Sequence, residues 1–254
     1  MNKVVDSFFK NHQTKLDDFI SNFAQNGEQF GEASRNTIKL FNLNEVKVNV
    51  KAFKVPMFIN RLIYGTIRKS KARRSFEFAK QLKYLGINSP KPVAYYEFST
   101  FGLFGKSYYI SEHLAYDLTY RELTTDFNYP DHEIILRAFT RFTYDLHQNG
   151  INFLDHSPGN TLIIKQDASY DFYLVDLNRM EFKDMSFNER IANFSKLTTH
   201  KSMIEVMSDE YSKCTGKSYN SIFDIMWKST CDFQYRYHRK KRIKKRLFLS
   251  LIHI

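Results

Sequence analysis

The segment 131–176 constrains the fold of this 254-residue chain more than any other part of its sequence. Apolar residues recur about every four positions in its first half, which predicts a long amphipathic helix over 131–150. A loop over 151–160 follows, and two short strands are then predicted over 161–165 and 170–175. If these strands pair as an antiparallel hairpin, the start of the first strand and the end of the second lie at the same end of the hairpin.

Three oxygen-bearing side chains fall at that end. Asn160 leads into the first strand, Asp176 follows the second, and Asp155 lies in the same loop five residues before Asn160. A carboxylate and an amide oxygen suit Mg²⁺, which takes few protein ligands and completes its shell with phosphate and water. The remaining carboxylate, Asp155, can orient an attacking hydroxyl and accept its proton.

This order of residues is typical of protein kinases, in which a catalytic Asp, an Asn five residues later and a metal-binding Asp follow one another in the same way. The alternative is a loop in which Asp155 and Asn160 only cap local backbone groups. The dipeptide after Asp176 is Leu-Asn rather than the usual Phe-Gly. His156 has no metal-ligand spacing, so we interpret it as a hydrogen-bonded loop residue.

A kinase also needs a lysine on the third N-lobe strand to hold the nucleotide phosphates. The tripeptide Val-Asn-Val before Lys51 has the required pattern, and Lys54 is a rival three residues later. The lysine needs a carboxylate partner on the next helix, where Glu77 is the acid available. The alternative for Glu77 is an exposed ion pair one helical turn away, with Arg73 or Lys80.

Nucleotide contacts are predicted at two further places. Backbone groups near Glu112 and Leu114, at the predicted connection between lobes, are placed to read the edge of the base. No G-x-G-x-x-G loop is present, so we expect the turn that contains Arg35 and Asn36 to cover the phosphates by other means. The expected cofactors are ATP and Mg²⁺.

The predicted fold is α+β and protein-kinase-like, with two lobes in one domain. We expect a β-rich N-lobe over 26–113, a reduced α-helical C-lobe over 114–235 and a basic, apolar-ended tail over 236–254. Residues 3–25 have helical periodicity, and residues 186–240 are also predicted to be helical. Strands are also predicted over 37–41, 46–53, 93–98 and 106–112, and a helix over 71–85.

The net charge of +11 is concentrated in two places. Residues 236–246 contain eight Lys/Arg and no acid, and residues 68–74 contain five and no acid, so the rest of the chain is almost neutral. Such clusters attract polyanions such as nucleic acid, anionic lipid or a phosphorylated substrate. The alternative is a solvated charged face.

Three features that the sequence lacks predict the cellular compartment of the protein. The cysteines, Cys214 and Cys231, form no CxxC pattern, which favours a reducing compartment. The N-terminus has no apolar run typical of a signal peptide, and the apolar end 247–254 is too short to span a bilayer. We therefore expect a cytoplasmic protein.

Several strings resemble one family. They lie at residues 51–56, 68–77, 90–95, 154–160 and 175–179. Together they are similar to the lipopolysaccharide kinase family, which includes Kdo and heptose kinases of Gram-negative bacteria, in the form seen in Bacteroidetes. The resemblance covers about residues 30–180. Asp-x-Ser-Pro-Gly-Asn and Val-Asp-Leu-Asn-Arg are its most specific strings.

The resemblance implies ATP-dependent phosphorylation of a core sugar on a lipid A-bearing acceptor, at the cytoplasmic face of the inner membrane. It assigns the catalytic Asp to Asp155, the metal ligands to Asn160 and Asp176, the phosphate lysine to Lys51 and the helix glutamate to Glu77. The expected partner is an anionic glycolipid, a lipopolysaccharide precursor. The resemblance does not specify which sugar is phosphorylated.

The basic tail gains a role in this interpretation. Lys and Arg next to an apolar end are typical of a helix that lies on a membrane surface. Alternatives are a pseudokinase-like binding module at the membrane, which the missing glycine loop favours, and a kinase for another small-molecule or protein hydroxyl. A basic nucleic-acid-binding protein is a further alternative, but we do not expect nucleic acid as the partner.

Overall fold

The computed structural model describes residues 1–32, 36–55, 69–101 and 103–252, with side chains up to residue 245. The chain divides into two compact units. Unit 1 contains Met1–Ala115 and Tyr173–Arg179, and unit 2 contains Tyr116–Phe172 and Met180–Ile254. Both units combine helices and strands, which confirms the predicted α+β class.

Unit 1 is built on a six-stranded antiparallel sheet. Its strands are β1 (Asn2–Val5), β2 (Glu28–Gln29), β3 (Asn36–Leu43), β4 (Val46–Phe53), β5 (Pro92–Thr100) and β6 (Leu103–Glu112), in the order β1-β5-β6-β4-β3-β2. The predicted hairpin of β3 and β4 is confirmed, with Lys39 opposite Val50, and Asn44 makes its turn with a left-handed φ of 57°. β4 therefore lies inside the sheet, hydrogen-bonded on both sides.

Different helices pack on the two faces of this sheet, and side chains alternate between these faces along each strand. Val48 and Val50 of β4 point to a core that is completed by helix α1 (Gln13–Ser21), including Leu16 and Phe19. The opposite face of β4 carries Lys51 and Phe53. Phe53 packs with helix α2 (Lys71–Tyr84), through its Ala72 and Phe76, and with Tyr95 and Tyr109. The face that carries Lys51 is thus the face covered by α2.

The predicted helix over 3–25 is only partly correct. Its first residues form β1, which pairs with β5 with Val4 opposite Tyr95. A 3-10 helix, Ser7–His12, follows, and the Asp6 side chain accepts a hydrogen bond from the Phe8 amide at 3.1 Å. Hydrogen bonds from a sheet edge outweigh the local helical periodicity here, and α1 begins only at Gln13.

Unit 2 contains most of the helices. They are α3 (Tyr120–Thr125), α4 (His132–Gln148), α5 (Phe187–Ala192), a 3-10 helix (Asn193–Lys196), α6 (Lys201–Thr215) and α7 (Tyr219–Ile252). The strands are β7 (Leu118–Thr119), β8 (Ile151–Phe153), β9 (Thr161–Lys165), β10 (Tyr170–Leu174) and β11 (Met180–Phe182). The sheet order is β10-β9-β7, and β8 pairs with β11. The predicted helix over 131–150 and the strands at 161–165 and 170–175 are confirmed.

Helix α7 has two different halves. Near its start Ile222 and Met226 are fully buried in the core of unit 2. From Tyr235 to Lys245 every side chain is exposed. The basic part of the tail therefore continues as helix with no face covered by the described part of the chain, and the apolar side chains predicted at 247–254 lie outside the described residues.

A polar cluster in unit 2 is formed by the buried side chains of His147, His156 and Tyr211 together with the half-buried Asn193. The His147 Nδ1 atom is 2.9 Å from the Tyr211 hydroxyl oxygen, and its Nε2 atom is 3.4 Å from Asn193 Oδ1. His156 Nδ1 is 2.9 Å from the same Asn193 oxygen. Burial lowers the pKa of His147 to about 3 and that of His156 to about 4, so both are neutral in the folded protein at neutral pH.

The packing of α1 against the sheet can be tested with Leu16→Ala. Because Leu16 is fully buried, we expect the substitution to lower the free energy of unfolding by about 2–5 kcal/mol. Tyr84→Ala, at a side chain that is 89% exposed, is the control and should change it by less than about 0.5 kcal/mol. Urea unfolding measures both, and equal effects would contradict the packing described.

The buried histidines predict how stability depends on pH. Their pKa values return to about 6.5 on unfolding, so below that pH the unfolded chain binds more protons than the folded chain. The free energy of unfolding should therefore fall as the pH decreases from about 6.5, by up to about 1.4 kcal/mol per pH unit for each histidine, until the folded histidines themselves titrate.

Urea unfolding between about pH 6.5 and 5 measures this slope. His147→Gln removes one titrating group and should flatten the slope by about one proton, whereas His238→Gln, at an exposed position, should leave it as in the wild type. A His147→Gln slope equal to that of the wild type would show that His147 is not a buried neutral group.

Candidate active site

Lys51 and Asp176 form the central contact of the candidate site in unit 1. Lys51 Nζ lies 2.6 Å from Asp176 Oδ1, although 125 residues separate them in sequence. Strand β4 fixes the backbone of Lys51. The backbone leading to Asp176 is held two residues earlier, where the Leu174 amide donates a hydrogen bond to the Asn88 carbonyl at 3.0 Å. Both side chains are largely buried.

Asp176 is held in a specific conformation. Its φ of 57° is left-handed, which costs a residue other than glycine energy unless its surroundings compensate. Asn178 Nδ2 donates to Asp176 Oδ1 at 2.6 Å, and Leu177 between them is buried. Burial alone would raise the pKa of the Asp176 carboxyl, but Lys51, Asn178 and Arg179 outweigh it, so the pKa is lowered. The carboxylate is therefore ionised at neutral pH.

Further positive charges surround this carboxylate. Burial lowers the pKa of Lys71, at the start of α2, and the nearby charge of Arg179 lowers it further, while Asp176 acts in the opposite direction. Lys51 and Arg74 also lower it. Positive charge from Lys51, Lys71 and Arg179 therefore lies near the Asp176 carboxylate, and positive charge favours binding of an anion.

The two rival lysines differ in structure. Lys54 is exposed just beyond the end of β4, and its backbone amide is 3.5 Å from Asn36 Oδ1. Lys51 is the one whose side chain reaches Asp176.

The expected contact between Glu77 and Lys51 is wrong for this structure. Glu77 Oε2 is 2.8 Å from Lys69 Nζ, and its Oε1 is 2.9 Å from Arg73 Nε. The alternative interpretation, an ion pair with Arg73 one helical turn away, is the one observed. The physical reason is that Lys51 pairs with Asp176 instead, while two nearby cations satisfy Glu77 and lower its pKa against the effect of burial.

The remaining predicted nucleotide contacts are placed as follows. Asn36 begins β3 opposite Phe53, and Arg35 lies outside the described residues. Glu112 ends β6, where its carboxylate pairs with Lys91 at 3.2 Å and its amide donates to the Lys91 carbonyl at 2.9 Å. Leu114 follows two residues later and is half-buried.

Asp155 and Asn160 lie together on one loop of unit 2, between β8 and β9. The Asn160 side-chain Nδ2 donates to the Asp155 carbonyl at 2.8 Å, and the Asn160 backbone amide donates to the Ser157 carbonyl at 2.9 Å. These two bonds close the loop on itself and fix the spacing of Asp155 and Asn160. The amide oxygen of Asn160 is then the side-chain atom suited to a cation.

A cation lies against the backbone of the same loop. If Gly159 had a Cβ atom, it would lie 2.7 Å from Nη2 of Arg121, a residue of α3. The absence of a side chain at Gly159 thus lets the Arg121 guanidinium approach the loop closely, four residues from Asp155.

Sequence reasoning missed two residues of the site. Asn178 orients Asp176, and only its place in the Leu-Asn dipeptide drew attention to it. Asn193 donates a hydrogen bond to the Phe153 carbonyl at 3.0 Å and binds His156, on either side of Asp155. Asn193 lies 38 residues after Asp155 and outside every motif identified in the sequence. His156 is hydrogen-bonded and buried, as the sequence interpretation expected.

Oxygen donors for Mg²⁺ are present, although not as a ready-made cluster. In the part of the chain that the structure describes, no group of three or more His, Cys, Asp or Glu side chains could hold a metal ion. The ionised carboxylate of Asp176 and the amide oxygen of Asn160 have the chemistry that Mg²⁺ prefers when phosphate and water supply its other ligands. Each of these two side chains therefore has the donor chemistry that the ion requires.

Among the described residues, none of the helices has both the length and the apolar character needed to span a bilayer.

Comparisons with known proteins agree with these features. A solved structure titled "WaaP in complex with acyl carrier protein" matches with a TM-score of 0.63 and 17% identity, over 94% of this chain and 99% of that one. This likeness confirms the predicted kinase-like fold. No curated protein sequence matches the chain. The family model described as "Lipopolysaccharide kinase (Kdo/WaaP) family" matches residues 23–219. The chain is therefore a phosphotransferase, and it belongs to the lipopolysaccharide kinase (Kdo/WaaP) family.

Proposed function

We propose that this kinase transfers the γ-phosphoryl group of ATP to a sugar hydroxyl of a lipopolysaccharide core or lipid A-type acceptor. Family membership supports a kinase that acts on lipopolysaccharide. The 2.6 Å contact between Lys51 and Asp176 is the observation that carries the proposal, because it joins a phosphate-binding cation to a metal-binding carboxylate.

Each residue has a defined role in this reaction. Lys51 holds the ATP phosphates, with Lys71 and Arg179 adding positive charge near the same point. Asp155 orients the acceptor hydroxyl and accepts its proton as the oxygen forms a bond to the γ-phosphorus. The bond from that phosphorus to the β–γ bridging oxygen breaks, and ADP leaves. Asn160 and Asp176 would hold Mg²⁺, which neutralises phosphate charge when bound.

An anionic acceptor suits the loop that carries Asp155. The Arg121 guanidinium against Gly159 is a cation within the same loop region of unit 2. Arginine binds carboxylate and phosphate groups through paired N–H donors. An acceptor with acidic or phosphorylated sugars would therefore be favoured over a neutral sugar.

We further propose a division of labour along the chain. Residues 26–113 and 114–235 serve as the two lobes of the kinase, and the tail 236–254 serves as an attachment site. In the described half of this tail the basic side chains are all exposed on α7. Each Lys or Arg near an anionic membrane surface contributes about 1 kcal/mol to binding. We propose that the tail holds the enzyme at the cytoplasmic face of the inner membrane, where its acceptor lies.

Replacement of Lys51 tests the proposed site. Lys51→Ala removes the cation beside Asp176, and we expect phosphate transfer from ATP to lipopolysaccharide to fall roughly 10²–10³-fold, as for loss of one preorganised charge-stabilising group. Lys54→Ala, three residues away and exposed, is the matched control and should keep activity within about twofold. Transfer of radiolabel from [γ-³²P]ATP to the glycolipid measures both.

The opposite pattern would contradict the assignment. Loss of activity in Lys54→Ala with normal activity in Lys51→Ala would move the phosphate site to Lys54. Nucleotide binding with no transfer by the wild type would instead support the pseudokinase alternative.

Charge reversal in α7 tests the attachment site. We expect the triple variant Lys240→Glu, Lys241→Glu, Lys244→Glu to lose flotation with vesicles that contain phosphatidylglycerol, because about 1 kcal/mol per cation is replaced by repulsion. The control variant Lys10→Glu, Lys83→Glu, Lys106→Glu changes the same net charge at exposed positions of unit 1 and should still float. Neither triple variant should bind vesicles of phosphatidylcholine alone.

An acyl carrier protein is the other partner to compare, since the solved WaaP structure contains one. If the α7 variant floats as the wild type does but loses binding to immobilised acyl carrier protein, the membrane proposal is wrong. Equal loss of flotation in both triple variants would show that net charge, rather than α7, determines membrane binding.

A further inference from the structure

We propose that Asn193 is the residue that positions the loop carrying Asp155 for phosphate transfer. The inference rests on the proposed role of Asp155 as the proton acceptor. Asn193 does not touch the reacting groups in this account. It acts by binding the Phe153 carbonyl before Asp155 and the His156 side chain after it, so it is a positioning residue rather than a catalytic one.

Asn193 binds the loop before and after Asp155. Its Nδ2 group donates to the Phe153 carbonyl at 3.0 Å, two residues before Asp155. Its Oδ1 atom accepts from His156 Nδ1 at 2.9 Å, one residue after Asp155. The chain is therefore held at both ends of the four-residue span 153–156, which contains Asp155.

The side-chain amide is the chemical group that this position requires. Nδ2 also donates to Asn152 Oδ1 at 3.0 Å, so both of its protons have acceptors, while Oδ1 accepts from the His156 ring. Because Oδ1 accepts from Nδ1 of His156, that ring is protonated on Nδ1 and is a neutral donor. An aspartate has the same shape but no donors, so it would place a carboxylate oxygen against the Phe153 carbonyl and Asn152 Oδ1.

Asn193 lies on a segment that is anchored in the core of unit 2. Asn193 begins the 3-10 helix Asn193–Lys196 directly after α5, which starts with a capping box made by Ser186 and Glu189. The next residue, Phe194, is buried in the core of unit 2. From the other end of the same 3-10 helix, Lys196 Nζ donates to the Leu154 carbonyl. One short helical turn thus binds two successive carbonyls of the loop.

The polar cluster also provides a matched control at its far end. Tyr211 binds His147 Nδ1 at 2.9 Å, and both are buried, but neither bonds to the residues 153–160 through any contact the structure records among its described residues. Tyr211→Phe removes one buried hydroxyl and keeps the ring. It should lower stability without moving the loop. Replacing a residue that only stabilises the fold should likewise lower stability without moving the loop. Replacing a positioning residue should move the loop as well, so the two roles can be told apart.

The test compares Asn193→Asp, Asn193→Ala and Tyr211→Phe in the full-length protein, with Asp155→Asn as the reference for loss of the base. For each we would measure the thermal midpoint, kcat and KM for ATP in transfer from [γ-³²P]ATP to lipopolysaccharide, and hydrogen exchange of the amides in 154–160. Asn193→Ala removes the contacts without burying a charge, so it carries the test if Asn193→Asp does not fold.

We expect both Asn193 variants to lower kcat about 10²-fold, the loss typical of a misplacement near 1 Å, with KM for ATP within about twofold of the wild type. Exchange in 154–160 should become faster in these variants and stay unchanged in Tyr211→Phe. Tyr211→Phe should lower the thermal midpoint but keep kcat.

Three outcomes would overturn the proposal. They are a wild-type kcat in the Asn193 variants, unchanged exchange in 154–160, or a loss of kcat in Tyr211→Phe that matches its loss of stability. Failure of the proposed function gives a different result. In that case the wild type shows no transfer to lipopolysaccharide, and faster exchange confined to the Asn193 variants still supports Asn193 as the anchor of the loop, while unchanged exchange rejects it.

Discussion

The ion pair between Lys51 and Asp176 is the interaction on which this account of the site depends. A carboxylate that is largely removed from water is costly to ionise unless a cation and hydrogen bonds compensate it. Lys51 and the Asn178 amide do so for Asp176. Removing one partner would leave the other uncompensated, so the two residues form one unit. The pair keeps a cation and an ionised carboxylate adjacent at neutral pH.

The architecture of unit 1 makes that pair possible. β4 is hydrogen-bonded to β3 and β6, so the backbone of Lys51 is fixed from both sides. The core completed by α1 supports one face of this strand, and α2 covers the face with Lys51. The position of Lys51 therefore depends on the sheet, and the phosphate-binding role that we propose for it does not require a glycine-rich loop.

The sequence predicts the parts of the fold that depend on local patterns. The β3–β4 hairpin, the helix over 131–150 and the loop with Asp155 and Asn160 follow from alternation, helical periodicity and spacing, and the structure contains all of them. β1 could not be predicted in this way, since its identity depends on pairing with β5, whose register with Asn2–Val5 is a tertiary property. Local periodicity in that segment favoured a helix.

The same distinction applies to individual site residues. Glu77 has the expected position on α2, but which cation it binds depends on the side-chain positions of Lys69 and Arg73, and sequence spacing predicts only the second. Asn193 could not be found from a motif, because its role arises from three contacts made across the core of unit 2. Spacing identifies groups that act through short segments of chain, and packing determines the groups that hold those segments.

The mass of lipopolysaccharide from a strain that lacks this gene tests the central claim most directly. The account predicts that the glycolipid loses the mass of one phosphate, that the wild-type gene restores it, and that a gene encoding Asp155→Asn does not, even though its protein folds. An unchanged mass in the deletion strain, or full restoration by Asp155→Asn, would contradict the claim that this chain phosphorylates the glycolipid with Asp155 as its base.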